Sequence, residues 1–148
     1  MKIAGTQYTL DKNSFEIYLS GCRHRCSENC HNKELWDYMI GDDYNEDYFN
    51  KIKEKLENFG DIVDKISIFG GESLDQNINQ LYDFLKDMKS LNKEIWLFTS
   101  YELSDVPENI KGLCDYIKTG TYDESLKCET ESYGYILASS NQKIHKIS

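Results

Sequence analysis

The chain has 148 residues, enough for one domain and too few for two of ordinary size. Hydrophobic residues make up 39% and aromatics 13%, the composition of a packed globular protein rather than a disordered one. A net charge of −9 repels nucleic-acid phosphates, and no apolar run approaches the roughly 18–20 residues of a membrane helix, so neither nucleic acid nor membrane is expected as a partner. The start, Met1-Lys2-Ile3-Ala4-Gly5, lacks the apolar stretch of a secretory signal. Five cysteines, an odd number without an export signal, point to a reducing, cytoplasmic setting in which thiols serve metal or catalysis.

In chain order, Phe15 to Leu19 alternates apolar and polar residues before Ser20-Gly21 and reads as a strand running into a turn. Asn45 to Phe59 places Tyr48, Phe49, Ile52, Leu56 and Phe59 on one helical face, and Gly60 stops it. Ile66 to Phe69 is a short buried strand ending at Gly70-Gly71. A second helix over 75–90 follows from Ile78, Leu81, Tyr82, Leu85 and Met88 at helical spacing. Ile95 to Thr99 and Tyr116 to Lys118 are further strands, with a short helical or irregular piece around 103–113 between them. Lys143 to Ile147 alternates again and predicts a last strand. No repeat or linker interrupts the series, so residues 1–148 are expected to form a single domain.

Alternating strands and helices predict an α/β fold with a mainly parallel sheet covered by helices. Active sites in such folds gather at the carboxyl ends of strands. Three of those ends are unusual here. The first strand feeds a cysteine cluster, the second Gly70-Gly71-Glu72, and the third Thr99-Ser100-Tyr101.

The segment from Gly21 to Asn32 holds Cys22, Cys26 and Cys30 within nine residues. Thiolates select zinc, copper(I) or iron–sulfur centres. A structural zinc wants a fourth protein ligand, which His24 or His31 would complete. A four-iron cluster on three cysteines instead leaves one iron open to an exogenous ligand. The clustering signals a metal without choosing among them.

The motifs beyond the cluster narrow the choice. Ser20-Gly21-Cys22 with Cys26 and Cys30, then His31-Asn32 and Trp36, begin an ordered series. It continues through Gly70-Gly71-Glu72-Ser73-Leu74 with Asn77, the run from Glu94 to Tyr101, Lys118-Thr119-Gly120-Thr121-Tyr122, and Ser139-Ser140-Asn141-Gln142-Lys143. In these residues the chain resembles the radical S-adenosylmethionine enzymes, and among them the glycyl-radical activases that act on anaerobic ribonucleoside-triphosphate reductases. The resemblance spans nearly the whole chain. It departs from the family pattern in two places: Lys12-Asn13-Ser14 stands near where members often carry a Gly-Pro-Gly type segment, and three residues, Ser27-Glu28-Asn29, separate Cys26 from Cys30 where the family has two. The extra residue is absorbed as a bulge or alters the cluster loop.

The resemblance implies an open, incomplete (β/α) barrel of the small radical S-adenosylmethionine type. It implies a [4Fe-4S] cluster on Cys22, Cys26 and Cys30, with S-adenosylmethionine chelating the open iron, and reductive release of a 5′-deoxyadenosyl radical. Gly70 and Gly71 would let backbone approach the cofactor, Glu72 would bind the methionine amino group, and Asn77, Thr99 and Ser100 would complete the S-adenosylmethionine site. The implied partners are the large anaerobic ribonucleotide reductase subunit, whose glycine loses a hydrogen atom, and a flavodoxin-like or other low-potential electron donor. Alternatives are an activase of another glycyl radical enzyme, a small peptide-modifying enzyme of the same chemistry, or a non-catalytic zinc-stabilised binding module. Cys114 reads as a small buried hydrophobe, and Cys128 has no ligand spacing to the cluster.

Overall fold

The computed structural model describes residues 1–23 and 33–148. Nine strands are present among them: β1 (Lys2–Thr9), β2 (Ser14–Leu19), β3 (Asp42–Asp43), β4 (Lys65–Gly70), β5 (Glu94–Phe98), β6 (Tyr116–Thr119), β7 (Lys127–Ser132), β8 (Tyr135–Ser139) and β9 (Lys143–Lys146). Three α-helices accompany them: α1 (Glu46–Phe59), α2 (Ile78–Lys89) and the single turn α3 (Glu108–Lys111). Seven strands form one sheet in the order β3-β1-β2-β4-β5-β6-β9, and β7 and β8 form a separate hairpin. The four central strands β2, β4, β5 and β6 are mutually parallel. The flanking strands β1, β3 and β9 add antiparallel, so the architecture is α/β with a mixed sheet around a parallel centre.

Alternation along the central strands decides which face is buried under what. Phe15, Ile17 and Leu19 of β2 lie on the same face as Ile66 and Ile68 of β4, Ile95 and Leu97 of β5 and Ile117 of β6. That face packs against Ile52 and Leu56 of α1, Leu81, Phe84, Leu85 and Met88 of α2, and Ile110 of α3. The opposite face carries an aromatic row. Tyr18 stacks on Phe69 at 5.5 Å between ring centres, Phe69 on Phe98 at 4.1 Å, and Trp96 on Tyr116 at 4.1 Å. The β7–β8 hairpin lies over part of this row, where Leu137 and Tyr135 pack against Trp96.

The helix ends follow from capping. Asn45 accepts from the Tyr48 amide at 2.9 Å, Glu46 and Asp47 fill the first turn of α1, and Gly60 ends it in the left-handed region. The sequence predicts α2 from residue 75, but the helix starts at Ile78. Asn77 caps it by accepting from the Asn79 and Gln80 amides, each at 3.1 Å, and Ser73–Asp75 form a 3-10 turn ahead of the cap.

The far end of the sheet is pinned by Asp115, just before β6. Its carboxylate accepts from the Ile95 amide at 2.8 Å, the Ser148 hydroxyl at 2.8 Å and the Lys89 ammonium at 3.4 Å. Partial burial alone would raise its pKa; these three donors outweigh that and hold it below the ordinary carboxylate value. A carboxyl with a depressed folded pKa adds stability that is complete above the unfolded value and is lost as pH falls through the folded one. Asp115→Asn should therefore lower the melting temperature at neutral pH. The gap between variant and parent should close as pH drops below about 4, which paired thermal melts across an acid titration would read; a gap that persists at low pH would contradict this account.

Candidate active site

The carboxyl ends of β2, β4 and β5 are neighbours in the sheet, and the segments leaving them are bonded to one another. The Gly71 amide donates to the Leu19 carbonyl at 3.0 Å, and the Glu72 amide donates to the Gly21 carbonyl at 2.9 Å. Gly70 has φ +140°, and a Cβ there would lie 2.2 Å from the Leu19 carbonyl oxygen. A Cβ on Gly71 would lie 2.4 Å from the Gly21 oxygen and 2.5 Å from the Leu35 oxygen. Both glycines are thus required by close backbone approach, and what they approach is the chain's own carbonyls, those of Leu19, Gly21 and Leu35. The backbone approached is that of the cysteine segment and its return.

Glu72 is only 3% exposed, and its carboxylate is filled by its own chain. One oxygen accepts from the Ser100 amide and hydroxyl, each at 2.7 Å. The other accepts from the Thr99 hydroxyl at 2.6 Å and the Leu74 amide at 3.0 Å. Thr99 and Ser100 therefore turn their hydroxyls to Glu72, and the three residues form one unit joining the ends of β4 and β5. Asn77 lies at the start of α2, with its side-chain oxygen engaged in the cap.

Cys22 is buried at 5% exposure just beyond β2, and its amide donates to the Trp36 carbonyl at 3.3 Å. Cys26 and Cys30 lie outside the described residues, as do His24, Arg25, His31 and Asn32. A thiol at the strand-end rim has the soft-ligand chemistry of a metal site. Of the three cysteines that the sequence singles out as ligands, only Cys22 falls within the described residues. Cys114, by contrast, is buried at 1% beside α3, and burial pushes its thiol up to about 12, the behaviour of an inert core residue. Cys128 lies on the hairpin, with its sulfur 3.7 Å from the Leu137 carbonyl.

Two residues that the motif reading passes over are central to the rim. Asp75, 5% exposed, accepts from the Arg23 amide at 2.5 Å on one oxygen and from the Tyr101 hydroxyl at 2.5 Å on the other. Gln76, 6% exposed, donates from its side-chain amide to the carbonyls of Ser20 at 3.0 Å, Glu72 at 3.1 Å and Gly21 at 3.3 Å. The bond to Asp75, with burial and the charges of Asp75, Glu72 and Cys22, pushes the Tyr101 phenol up to about 12. Arg23 folds over the same turn, with its guanidinium 3.3 Å from the Asp75 carbonyl and 3.4 Å from the Tyr38 hydroxyl. The available sequence signal was Asn77: an N-cap at 77 leaves Asp75 and Gln76 in a turn rather than in a helix.

Other motif residues meet beside β6. The Gln142 side chain donates to the Gly120 carbonyl at 3.3 Å, and the Asn141 side chain donates to the Thr121 carbonyl at 2.7 Å. The Thr121 hydroxyl reaches the Ser100 carbonyl at 3.2 Å, which links this corner to the Glu72 unit.

Comparison with known proteins places this rim in a family. The anaerobic ribonucleoside-triphosphate reductase-activating protein of Vibrio cholerae serotype O1 is 24% identical over 135 residues, covering 89% of this chain and 86% of the relative. Those of Salmonella typhi and Salmonella typhimurium are each 26% identical over 137 residues, covering 88% of this chain and 86% of the relative. The model of the 4Fe-4S single cluster domain matches residues 13–145, a span that includes the cysteine segment, the glycine turn with Glu72 and the β5 end. The chain belongs to the 4Fe-4S single cluster domain family.

Proposed function

We propose that the chain is the activase of an anaerobic ribonucleotide reductase, acting as a single domain over residues 1–148 on an open, incomplete (β/α) barrel. The observation that carries this reading is the bonded junction of the cysteine segment with the Glu72 turn at adjacent parallel strand ends, inside a chain of the 4Fe-4S single cluster domain family. The similarity to activating proteins over most of both chains supports the reductase as the protein substrate. Cys22, Cys26 and Cys30 would hold a [4Fe-4S] cluster, and Gly70, Gly71, Glu72, Asn77, Thr99 and Ser100 would form the S-adenosylmethionine side of the site. When bound, the cluster supplies one electron for cleavage of the sulfonium, and the adenosyl fragment takes a hydrogen atom from a reductase glycine, giving methionine, 5′-deoxyadenosine and the glycyl radical.

The residues of the chain divide this work by their chemistry. Glu72 offers a buried negative charge suited to an ammonium group, and the rotatable Ser100 hydroxyl is the donor such a group would replace. Gly70 and Gly71 bring that carboxylate against the cysteine segment. The electron comes from a low-potential donor of the flavodoxin kind.

Anaerobic loading with iron and sulfide should give a brown protein. Reduction with S-adenosylmethionine present should then yield 5′-deoxyadenosine, and addition of the reductase should yield a glycyl radical by electron spin resonance. Replacing Cys22, Cys26 or Cys30 with Ala should remove both colour and cleavage. A colourless protein with stoichiometric zinc would overturn the reading in favour of the zinc-stabilised module, to which the extra residue between Cys26 and Cys30 would then belong.

Glu72→Gln keeps the shape but sets an amide NH2 against donors. It should raise the KM for S-adenosylmethionine and cost about 1–3 kcal/mol of stability, measured by denaturant titration of the metal-free chain. Unchanged S-adenosylmethionine dependence would remove Glu72 from the site.

A further inference from the structure

The cysteine segment is held at both flanks by one short turn. On its leading side the Arg23 amide, the first peptide N–H after Cys22, donates to Asp75 at 2.5 Å. On its trailing side the Tyr38 hydroxyl lies 3.4 Å from the Asp75 carbonyl, and the Tyr38 ring covers Gly21, where a Cβ would sit 2.1 Å from a ring carbon. The second carboxylate oxygen of Asp75 takes the Tyr101 hydroxyl at 2.5 Å, so the loop after β5 is drawn into the same contact. Asp75 is 5% exposed, and each of its oxygens serves a different strand-end segment. Such an arrangement has two separable effects: it fixes the peptide that follows Cys22, and it sets a carboxylate charge on the amide next to that cysteine.

We propose that Asp75 is a positioning residue for Cys22, fixing the peptide that follows it and holding the Tyr101 hydroxyl turned to its own carboxylate. What Cys22 binds rests on the proposed function; that Asp75 fixes the peptide after it does not. A hydrogen bond from a peptide amide to a buried carboxylate is among the stronger neutral-to-charged contacts, so its loss frees the peptide after Cys22. A carboxylate bonded to the amide after Cys22 would disfavour the electron that reduces a cluster held on that cysteine, so Asp75 would also hold its potential low.

The test uses the full chain, metal-free and iron-loaded, with Asp75→Asn, Asp75→Ala and Tyr101→Phe. In the metal-free chain the rate of Cys22 alkylation by iodoacetamide, followed by peptide mass mapping, should rise about tenfold in Asp75→Ala and less in the other two. Cys114, buried at 1% in the helix-side core, should keep its rate and serves as the internal control. In the iron-loaded chain Asp75→Asn should move the cluster midpoint potential to a more positive value. Asp83→Asn, the same charge change on the exposed side of α2, should leave it in place.

An unchanged Cys22 rate in Asp75→Asn and Tyr101→Phe overturns the proposal. So does a parallel acceleration at Cys114, which would mean general loosening, or an unmoved potential in Asp75→Asn. Tyr101→Phe loses one hydroxyl and keeps the test alive if Asp75→Ala does not fold. Should the parent chain load no iron, the proposed function falls while the thiol comparison still decides the role of Asp75.

Discussion

The rim depends on how the charge of Glu72 is solvated without water. Taking a carboxylate out of water costs several kcal/mol unless its lone pairs find donors. Glu72 finds four, from Thr99, from both the amide and hydroxyl of Ser100, and from Leu74. Two of these residues belong to the end of β5 and one to the turn after β4, so satisfying the carboxylate fixes the distance between two strand ends. Asp75, three residues on, repeats the device toward the cysteine segment through the Arg23 amide. Gln76 completes it by bonding the carbonyls of Ser20 and Gly21. Five consecutive residues, 72–76, are thereby a polar hub from which the ends of β2 and β5 are both held. Because such a network is fully worth its burial only when every member is partnered, loss of one member is felt by the others.

This hub is possible because the two sheet faces are so different. The helix side is a continuous aliphatic core that leaves the strands no freedom to slide, since a shift by one residue would turn Ile66, Ile68, Ile95 and Leu97 onto the wrong face. The register of Leu19 opposite Gly70, and hence of Gly71 against Gly21, is set by that core and handed on to the rim. On the other face the hairpin covers the aromatic row at Trp96 and reaches Tyr116 and Phe98, while Tyr18 and Phe69 at the rim end stay half-exposed. The stable core lies away from the chemistry, and the partly open surface lies beside it.

The elements legible in the sequence are those whose pattern comes from this core. The central strands and both long helices carry regular apolar periodicity, and the structure finds them within one to three residues of the expected ends. Strand β1 was missed because Gly5 and Gln7 break its alternation and only Ile3 is buried. Strand β7, Lys-Cys-Glu-Thr-Glu-Ser, was missed because a hairpin with one solvated side needs almost no apolar residues. At the site, Gly70, Gly71, Glu72, Thr99 and Ser100 were legible as unusual residues at strand ends. That the hydroxyls of Thr99 and Ser100 serve Glu72 is a tertiary fact that no spacing encodes. Asp75 escaped notice for a simpler reason: a carboxylate next to a helix start looks like an ordinary first-turn residue until the cap at Asn77 is placed.

Chain length takes on a physical meaning once the connections are compared. A parallel strand pair demands a crossover of a dozen residues or more, whereas an antiparallel neighbour needs only a turn. Among the described residues three parallel connections are made, through 20–64, 71–93 and 99–115, and the sheet is widened by antiparallel strands. Each crossover must leave the sheet at the same rim, because parallel strands all end on one side. The first residues of the three crossovers are therefore forced together whatever follows them, and here they are Ser20-Gly21-Cys22, Gly71-Glu72 and Thr99-Ser100. The longest crossover is the one that contains all three clustered cysteines. Topology thus brings a thiol segment, a buried carboxylate and its hydroxyl partners to one edge before any side chain is chosen, and the 72–76 hub converts that proximity into fixed geometry.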